Sequence, residues 1–248
     1  MKGKNQTVLV VGGGVAGVQA SLDLAKLGYK VYLAEKSPAL GGLTSKLYRT
    51  YPICFCCKIP PFLAEVERHP DIEILTLSKV RDVHGEEGSF QVTLTRQPRY
   101  INEERCTACG ICSKVCPVEV MDPQRGLRKA VFRPDPQSIP ATYLIDEQNC
   151  LNLKGEACDI CQKNCPEQAI EFGEKSKEVS LKIGSIILST GFEPLDARLI
   201  EMYGYGELPN VLTSVEFERL LSPFGPSNGV LKRPSDGKTP KKIAWLQC

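Results

Sequence analysis

Short apolar runs and one amphipathic segment alternate at the start of the chain. The run TVLVV at residues 7–11 is typical of a buried parallel strand. After the glycine-rich stretch GGGVAG, the segment VQASLDLAKLG places apolar residues on one helical face and stops at Gly28. A second apolar run, KVYLAEK, ends with Glu35. The pattern predicts a strand, a tight turn, a helix and a second strand.

Three later stretches have clear patterns as well. KIGSIILSTGFEP at residues 182–194 reads as a strand followed by a Thr-Gly turn. KIPPFLAEVERHP begins with prolines and then places Phe62, Leu63 and Val66 at helical spacing, which predicts a helix packed on the sheet. The final KIAWLQC predicts a strand that brings Cys248 to the carboxyl edge of the sheet, where cofactors bind in such folds. We expect an α/β, Rossmann-like fold.

The glycines between the first strand and the first helix predict a dinucleotide site. Gly12 permits a sharp reversal, Gly14 lets the backbone approach a pyrophosphate, and Gly17 lets the helix pack on the strand. The helix N-terminus faces the phosphates, and a carboxylate 21 residues after Gly14 can accept hydrogen bonds from a ribose hydroxyl. A purely structural glycine turn is the alternative. The predicted cofactor-binding residues here are Gly12, Gly14, Val15, Ala16, Gly17, Glu35 and Lys36.

Two further glycine-containing stretches favour FAD over NAD. The segment KSPALGG, with Gly41 and Gly42, resembles the second glycine pair that lies close to the flavin in the two-dinucleotide-binding flavoproteins. Thr190 and Gly191 look like the Thr-Gly turn that closes the FAD domain in that superfamily. An ordinary apolar strand with a glycine turn would also explain SIILSTG taken alone.

Charge and hydropathy exclude several classes of partner. The 31 basic and 29 acidic residues give a net charge of +2, which favours neither nucleic acid nor a polyanionic membrane surface. The N-terminus has no secretory signal pattern, and no run approaches the roughly 20 apolar residues of a membrane span. We therefore expect a cytoplasmic protein without a transmembrane segment, whose twelve cysteines are reduced. Reduced cysteines that occur in clusters usually hold metal.

Eight of these cysteines are spaced as iron-sulfur ligands. Residues 106–117 follow C-x2-C-x2-C-x3-C-P, and a second group at residues 150–166 also ends in Cys-Pro. In this arrangement the cysteine before each proline reaches across to the other cluster. The predicted 4Fe-4S ligands are Cys106, Cys109, Cys112 and Cys165 for one cluster, and Cys116, Cys150, Cys158 and Cys161 for the other.

Alternatives remain at the second group and at a further cysteine cluster. Seven residues, LNLKGEA, separate Cys150 from Cys158 where two are usual, so a 3Fe cluster stays open at that site. Zinc is the alternative for both groups, since four-cysteine zinc sites also use C-x2-C pairs. Cys54, Cys56 and Cys57 are interpreted as ligands of an extra cluster, as a redox-active pair beside the flavin, or as small buried hydrophobic residues.

Composition gives the domain limits. The polar stretches QPRYINEE and FGEKSKEVSLKIG flank the cysteine-rich segment as exposed linkers do. We expect a first part of an FAD-binding domain at residues 1–98, an inserted ferredoxin-like α+β domain with two clusters at residues 99–175, and the second part of the FAD-binding domain at residues 176–248.

Five stretches spread over nearly the whole chain carry a more specific resemblance. They are GGGVAGVQASLDLAKLGYKVYLAEKSPALGG, AEVERHPDIEIL, PRYINEERCTACGICSKVCPVEV, YGYGELPNVLTSVEFERLL and RPSDGKTPKKIAWLQC. Together they resemble the A subunit of heterodisulfide reductase and its bacterial relatives. The resemblance implies an FAD and iron-sulfur oxidoreductase component that distributes electrons within a hetero-oligomeric complex and is inactive alone, with electron bifurcation in some members. Full-length relatives continue past Cys248, so this chain is expected to be a fragment or one part of a split protein.

Two other functions are weighed against this one. A self-contained NAD(P)H-dependent oxidoreductase resembling the glutamate synthase small subunit would need a second G-x-G-x-x-G, which the sequence lacks. A cluster-binding redox sensor or scaffold would need no intact flavin fingerprint. The resemblance also implies that Cys248 binds a third cluster shared with another segment or chain; a free terminal thiol is the alternative.

Overall fold

The computed structural model describes residues 6–50, 53–122 and 126–246. The helices are α1 (Val15–Lys26), α2 (Phe55–Arg68), α3 (Ile111–Val115), α4 (Ile160–Lys163) and α5 (Ser214–Leu221). The strands are β1 (Thr7–Val11), β2 (Lys30–Ala34), β3 (Arg49–Thr50), β4 (Ile53–Cys54), β5 (Ile72–Leu75), β6 (Ser78–Glu86), β7 (Ser89–Arg96), β8 (Glu119–Asp122), β9 (Gly126–Lys129), β10 (Val131–Phe132), β11 (Leu144–Ile145), β12 (Lys177–Ile183) and β13 (Ser185–Leu188).

A four-stranded parallel sheet forms the centre of the fold, in the order β13-β1-β2-β5. Its central strands are nearly inaccessible because both faces are covered. On one face α1 and α2 pack, and their buried side chains, including Leu22, Leu63 and Val66, join Val10 and Leu33 of the sheet in one core. The first strand, turn, helix and second strand are those that the sequence pattern predicted.

A three-stranded antiparallel sheet, in the order β12-β7-β6, covers the other face. Val92, Leu94 and Ile183 from this sheet pack against Leu9 and Leu75 of the parallel sheet. The strand β12 passes through Gly184 directly into β13, so the chain leaves the antiparallel sheet and enters the parallel sheet beside β1. The parts of the chain before and after the cysteine-rich segment therefore share one sheet.

The cysteine-rich segment lies between two paired strands. Arg96, the last residue of β7, pairs with Lys177, the first residue of β12, so the chain leaves and returns at neighbouring positions. Between them lie α3, α4 and two small antiparallel pairs, β8-β9 and β10-β11. A separate core of Ile101, Val131, Ile170 and several cysteines fills this segment.

Hydrogen bonds to the Glu174 side chain and a backbone bridge close the base of the segment. The carboxylate Oε2 of Glu174 accepts hydrogen bonds from the backbone N–H groups of Arg99, at 3.0 Å, and of Tyr100, at 2.7 Å. Ile101 and Ile170 form an antiparallel bridge just beyond them. The incoming and outgoing stretches of chain are thus joined where the segment meets the sheets.

The helix α2 differs from the sequence prediction at its start. It begins at Phe55, so Pro60 and Pro61 lie inside the helix and not at its first position. Proline has no N–H, and the carbonyls of residues 56 and 57 therefore lack their usual helical partners. Leu63 and Val66 are 4% and 0% exposed, as expected, but Phe62 is 44% exposed because it projects from the outer side of the helix.

The predicted C-terminal strand is wrong. Residues 242–246 form no strand in the described part of the chain, and Ile243, Trp245 and Leu246 are exposed. A strand requires a partner, and this stretch pairs with no described strand; Trp245 instead contacts Phe217 edge to face, with ring centroids 5.6 Å apart. Within the described residues, no helix has both the length and the apolar character needed to cross a bilayer.

Candidate cofactor sites

The glycine-rich turn lies at the carboxyl edge of the parallel sheet, between β1 and α1. Gly12 has φ +109° and its N–H donates to the Ala34 carbonyl oxygen at 2.8 Å. A Cβ built on Gly17 would lie only 1.8 Å from the carbonyl oxygen of Gly12. Gly12 and Gly17 are therefore required by the fold itself, since helix and turn touch at this point.

Gly14 occupies a different environment. A Cβ built on Gly14 would meet no atom within 4 Å. Gly14 is the N-cap of α1, which has no side-chain capping bond, and the next two residues, Val15 and Ala16, are exposed. Helix N–H groups left without a side-chain cap, next to open space, can hold a phosphate group. The residues present fit a pyrophosphate at this position.

Glu35 lies just beyond β2 and faces the turn. The residue is 6% exposed, and its Oε2 accepts a hydrogen bond from the Gly13 N–H at 2.7 Å. Its Oε1 accepts from the Ser37 N–H, also at 2.7 Å. A carboxylate offers about four acceptor positions, so it can still accept from a ribose hydroxyl. The predicted acidic residue thus borders the glycine turn.

The second glycine pair packs against the first turn. The Gly41 N–H donates to the Gly13 carbonyl oxygen at 2.8 Å, and a Cβ on Gly42 would lie 3.1 Å from the Gly14 Cα atom. A cavity of about 280 Å³ opens beside Gly42, between residues 37–46, α2 and residues 134–138. The structure therefore brings Gly41 and Gly42 to the predicted phosphate-binding turn.

The turn after β13 lies on the same edge of the sheet. Thr190 and Gly191 are exposed, and the Thr190 Cα is 3.2 Å from where a Cβ of Gly12 would stand. Beyond them, Glu193 forms an ion pair with Lys36, and this hydrogen bond and charge raise the pKa of Lys36. All predicted FAD-binding residues thus lie along one edge of the sheet.

The first cysteine group surrounds a small cavity. Four free thiols, those of Cys106, Cys109, Cys112 and Cys165, line it together with Tyr143. Burial, together with the nearby thiols of Cys106 and Cys109, raises the pKa of Cys112 to about 12. A raised pKa favours the protonated thiol whereas a metal binds the thiolate, so metal binding must displace this proton.

The second cysteine group surrounds another cavity. Cys116, Cys150, Cys158 and Cys161 line it together with Val131 and Phe172. Burial and the neighbouring Cys150 and Cys116 raise the pKa of Cys161 to about 12. Each cavity has four thiols in apolar surroundings, which is the ligand set of a cubane cluster.

Two short helices place the fourth ligand of each group. Cys116 directly follows α3 and lines the second cavity, whereas the rest of its sequence group lines the first. Cys165 follows α4 and lines the first cavity in the same reciprocal way. Among the described residues, no three or more His, Cys, Asp or Glu side chains are grouped so as to hold a single metal ion, as distinct from a cluster of several metal atoms. The thiols instead surround the two cavities.

The long spacing before Cys158 is taken up by a compact turn. The Cys150 N–H donates to the Asp146 carbonyl oxygen at 2.9 Å, and the Asn152 side-chain amide donates to the Cys158 carbonyl oxygen at 2.8 Å. Arg128 bonds the Asp146 carboxylate at 2.8 Å and fixes the turn to β9. Burial raises the pKa of Asp146, but its hydrogen bonds, chiefly from Arg128, outweigh this, and the net shift is downward. The turn thus brings Cys150 back towards Cys158, and both line the second cavity.

Sequence reasoning missed several supporting residues. Arg128, Asn152 and Tyr143 carry no motif, and only the folded turn shows which cysteines they support. A buried arginine close to the base of the segment, Arg99, was missed for the same reason: its partners lie far away in sequence. Paired charges of opposite sign around a cysteine group are the only signal that could have suggested Arg128.

The remaining cysteines keep their open interpretations. Cys54 ends β4, and Cys56 and Cys57 lie in the first turn of α2, but their side chains lie outside the described parts of the structure. The predicted ligand Cys248 also lies outside the described residues. The three interpretations of Cys54, Cys56 and Cys57, and the two of Cys248, stay predictions.

Comparison with known proteins agrees with both parts of the site. Residues 7–57 match the family model described as FAD dependent oxidoreductase, and residues 99–122 match the 4Fe-4S binding domain. The first match covers the glycine turn, Glu35 and the second glycine pair; the second covers Cys106 to Cys116. The chain therefore has an FAD oxidoreductase domain of Rossmann type and a 4Fe-4S ferredoxin domain.

Curated relatives match nearly the whole chain. The CoB–CoM heterodisulfide reductase iron-sulfur A subunit of Methanocaldococcus jannaschii is 43% identical over 98% of this chain and 37% of its own length. The corresponding A subunit 1 of Methanopyrus kandleri is 45% identical over 98% and 36%. The A subunit of the H(2):CoB-CoM heterodisulfide,ferredoxin reductase of Methanothermobacter marburgensis is 40% identical over 97% and 36%. The chain spans little more than a third of the length of these relatives. The resemblance to the A subunit of heterodisulfide reductase, which the sequence motifs indicated, is confirmed.

Proposed function

We propose that this chain, which matches the iron-sulfur A subunit of heterodisulfide reductases over nearly its whole length, is an FAD and 4Fe-4S electron-transfer part of such an oxidoreductase. The observation that carries the proposal is the pairing of an open glycine turn, bordered by Glu35, with two cavities that four cysteines each surround. The two kinds of site occur together in one folded chain, as is required of a component that transfers electrons between a flavin and iron-sulfur clusters.

The residues of the chain have distinct tasks in this proposal. The start of α1 and Gly14 hold the pyrophosphate, Glu35 orients the ribose, and Gly42 borders the flavin end of the cofactor. FAD exchanges electrons in pairs or singly whereas a cluster exchanges one at a time, so a chain that holds both converts between the two. The apolar linings of the cysteine cavities limit the access of water to the clusters.

We assign two clusters to an inserted domain at residues 99–175, between FAD-binding parts at residues 1–98 and 176–248. The reciprocal positions of Cys116 and Cys165 support two clusters, because each lines the cavity of the other sequence group. The compact turn that returns Cys150 towards Cys158 supports four ligands at the second cluster, in place of a 3Fe site. The pairing of Arg96 with Lys177 supports the domain limits.

The finer functional assignments follow the relatives. The name of the Methanothermobacter marburgensis relative gives both a heterodisulfide and ferredoxin, and we extend this two-acceptor arrangement, as electron bifurcation, to the complete assembly. Other redox subunits are then the partners, in the cytoplasm. Proteins that co-purify with the chain test this part, since they identify where electrons enter and leave.

Cofactor content tests the central proposal. Protein purified anaerobically is expected to contain FAD and about eight iron atoms per chain, because two 4Fe-4S clusters account for that number. Iron, zinc and acid-labile sulfide are measured together with the flavin spectrum. Stoichiometric zinc, or only one or two iron atoms per chain, would contradict the clusters, and absence of flavin would contradict the FAD assignment.

A further inference from the structure

We propose that the buried Arg99 is a positioning residue that couples the cysteine-rich domain to the FAD-binding loop formed by residues 36–42. The inference rests on the proposed function, because it assigns FAD to this loop. Arg99 is 3% exposed and stands at the first position of the proposed insert. Its side chain bonds to neither a cysteine group nor the glycine turn, so its effect on FAD is transmitted through the loop.

The guanidinium group bonds two separate parts of the FAD-binding domain. Its Nη2 donates to the Pro38 carbonyl oxygen at 2.7 Å and to the Thr76 hydroxyl at 2.8 Å. Its Nε lies 2.8 Å from the Glu103 carboxylate and forms an ion pair with it. Neither Nε nor Nη1 has a hydrogen-bond partner among the described residues. The positive charge of Arg99 is therefore balanced by a residue of the insert, whereas its two hydrogen bonds are made to the FAD-binding domain.

The loop that Arg99 contacts joins two predicted parts of the FAD site. Its preceding residue, Glu35, borders the glycine turn, and Gly41 near its end donates to the Gly13 carbonyl oxygen at 2.8 Å. Between these points, the Leu40 N–H donates to the Ile139 carbonyl oxygen at 2.8 Å. Two contacts from residues 99–175 thus hold the middle of the loop, one through the Arg99 side chain and one through the Ile139 backbone.

The geometry of this buried contact is specific for arginine. A planar guanidinium can bond two acceptors from one nitrogen while another nitrogen faces a carboxylate, whereas a lysine ammonium is a compact point charge on a shorter stem. Lysine at position 99 therefore keeps the ion pair but not both directional bonds. The loop is expected to loosen when the bond to Pro38 is lost, and FAD affinity is expected to fall with it.

The test compares Arg99→Met, Arg99→Lys and the wild-type chain, each purified anaerobically with its cofactors. The rate of FAD release is expected to rise about ten- to a hundredfold in Arg99→Met, which corresponds to the loss of a hydrogen bond to a charged group, and less in Arg99→Lys. Iron content stays unchanged. Hydrogen exchange is expected to accelerate at the amides of Leu40 and Gly41, while the amides of β1 and β2 stay protected.

A matched control separates this role from a general effect of removing a charge. Arg81 also pairs with a glutamate, Glu178, but lies on the exposed face of β6 with a side chain that is 62% exposed. Arg81→Met is expected to release FAD at the wild-type rate. Faster release in both variants to the same degree would overturn the inference.

The remaining outcomes distinguish this inference from the proposed function. If the wild-type chain retains FAD and a folded Arg99→Met releases it equally slowly, the positioning role is wrong and the proposed function stands. If Arg99→Met fails to fold, the positioning role is tested with Arg99→Lys and Thr76→Val, which each weaken the contacts without removing all of them. FAD release at the wild-type rate in both of these variants overturns the role. A wild-type chain that binds no FAD contradicts the proposed function and this inference together.

Discussion

Two glycines of the same turn are present for different physical reasons. A Cβ on Gly17 would collide with the Gly12 carbonyl oxygen at 1.8 Å, whereas a Cβ on Gly14 meets no protein atom within 4 Å. Gly17 is therefore required by the packing of the helix on the turn. Since no contact among the described residues requires a glycine at position 14, the space there is available to a ligand.

Alanine substitutions are expected to separate these roles. Gly17→Ala should lower the free energy of unfolding by about 1–3 kcal/mol or more, because the turn must move to admit the methyl group. Gly14→Ala should leave stability nearly unchanged but weaken FAD binding at least about tenfold, because the methyl group occupies the space of the pyrophosphate. Chemical denaturation and FAD titration measure the two effects. Unchanged FAD affinity in Gly14→Ala would contradict the pyrophosphate position.

Glu35 is expected to act on one cofactor only. Glu35→Ala removes the carboxylate that accepts from Gly13 and Ser37, and with it the predicted ribose acceptor. FAD affinity should fall about tenfold or more, since hydrogen bonds to a charged group contribute about 1.5–3 kcal/mol. Iron content should stay the same, because the cysteine cavities lie in another part of the chain.

The control for Glu35 is Glu73→Ala on the neighbouring strand β5. Glu73 is exposed and pairs with Lys30 at 3.7 Å, so its loss should change neither cofactor. Equal loss of FAD and iron in Glu35→Ala would show that Glu35 supports the fold as a whole.

At the scale of elements, features that depend on a few neighbouring residues were predictable from the sequence. Features that depend on a partner distant in the sequence were not. The β1-α1-β2 unit and the strand before Thr190 follow from apolar spacing and glycine positions, which are read within a few residues. The predicted final strand failed because a strand depends on a distant partner, which residues 242–246 do not have in the described structure. The start of α2 failed because Pro60 marked a boundary that the helix in fact extends across.

The candidate sites divide in the same way. The spacing of the cysteines predicted the two groups of four that line the two cavities, because in this pattern the cysteine before each proline binds the other cluster. The residues that hold these groups in place were not predictable. Arg128 is an example: its partners Asp122 and Asp146 become neighbours only when the β8-β9 pair folds against the turn before Cys150.

Removal of Arg128 is expected to affect the second cluster selectively. Arg128→Met removes the cation that Asp122 and Asp146 share, at 2.9 and 2.8 Å, and so frees the turn that carries Cys150. We expect mild chelation to remove about four of eight iron atoms from this variant before any are lost from the wild type. Iron counting and the cluster spectra measure the effect.

The neighbouring Lys129 provides the control for Arg128. Lys129 lies on the same strand and pairs with Glu119 at 3.0 Å, away from the Cys150 turn. Lys129→Met should keep all its iron under the same chelation. Loss of both clusters together in Arg128→Met would mean that Arg128 supports the entire cysteine-rich segment and not the turn.

At the scale of the whole molecule, the cysteine-rich segment lies outside the two main sheets, although its Ile139 joins the core between the parallel sheet, α1 and α2. In the described structure, the parallel sheet and the three-stranded antiparallel sheet contain no strand from residues 99–175. Arg96 and Lys177 already face each other as paired residues at the ends of β7 and β12. A two-residue turn can connect two such antiparallel strands. The segment supplies contacts to the FAD-binding loop but no strand of either sheet.

This arrangement predicts the result of removing the segment. Replacing residues 97–176 by Asn-Gly should join β7 to β12 as a hairpin and give a folded protein without iron. The shortened chain should still bind FAD, but at least about tenfold more weakly than the wild type, because the contacts from Arg99 and Ile139 to the loop are lost. Circular dichroism, iron analysis and FAD titration measure the three properties. An unfolded product would contradict the proposed domain division, and FAD affinity equal to that of the wild type would contradict coupling through the loop.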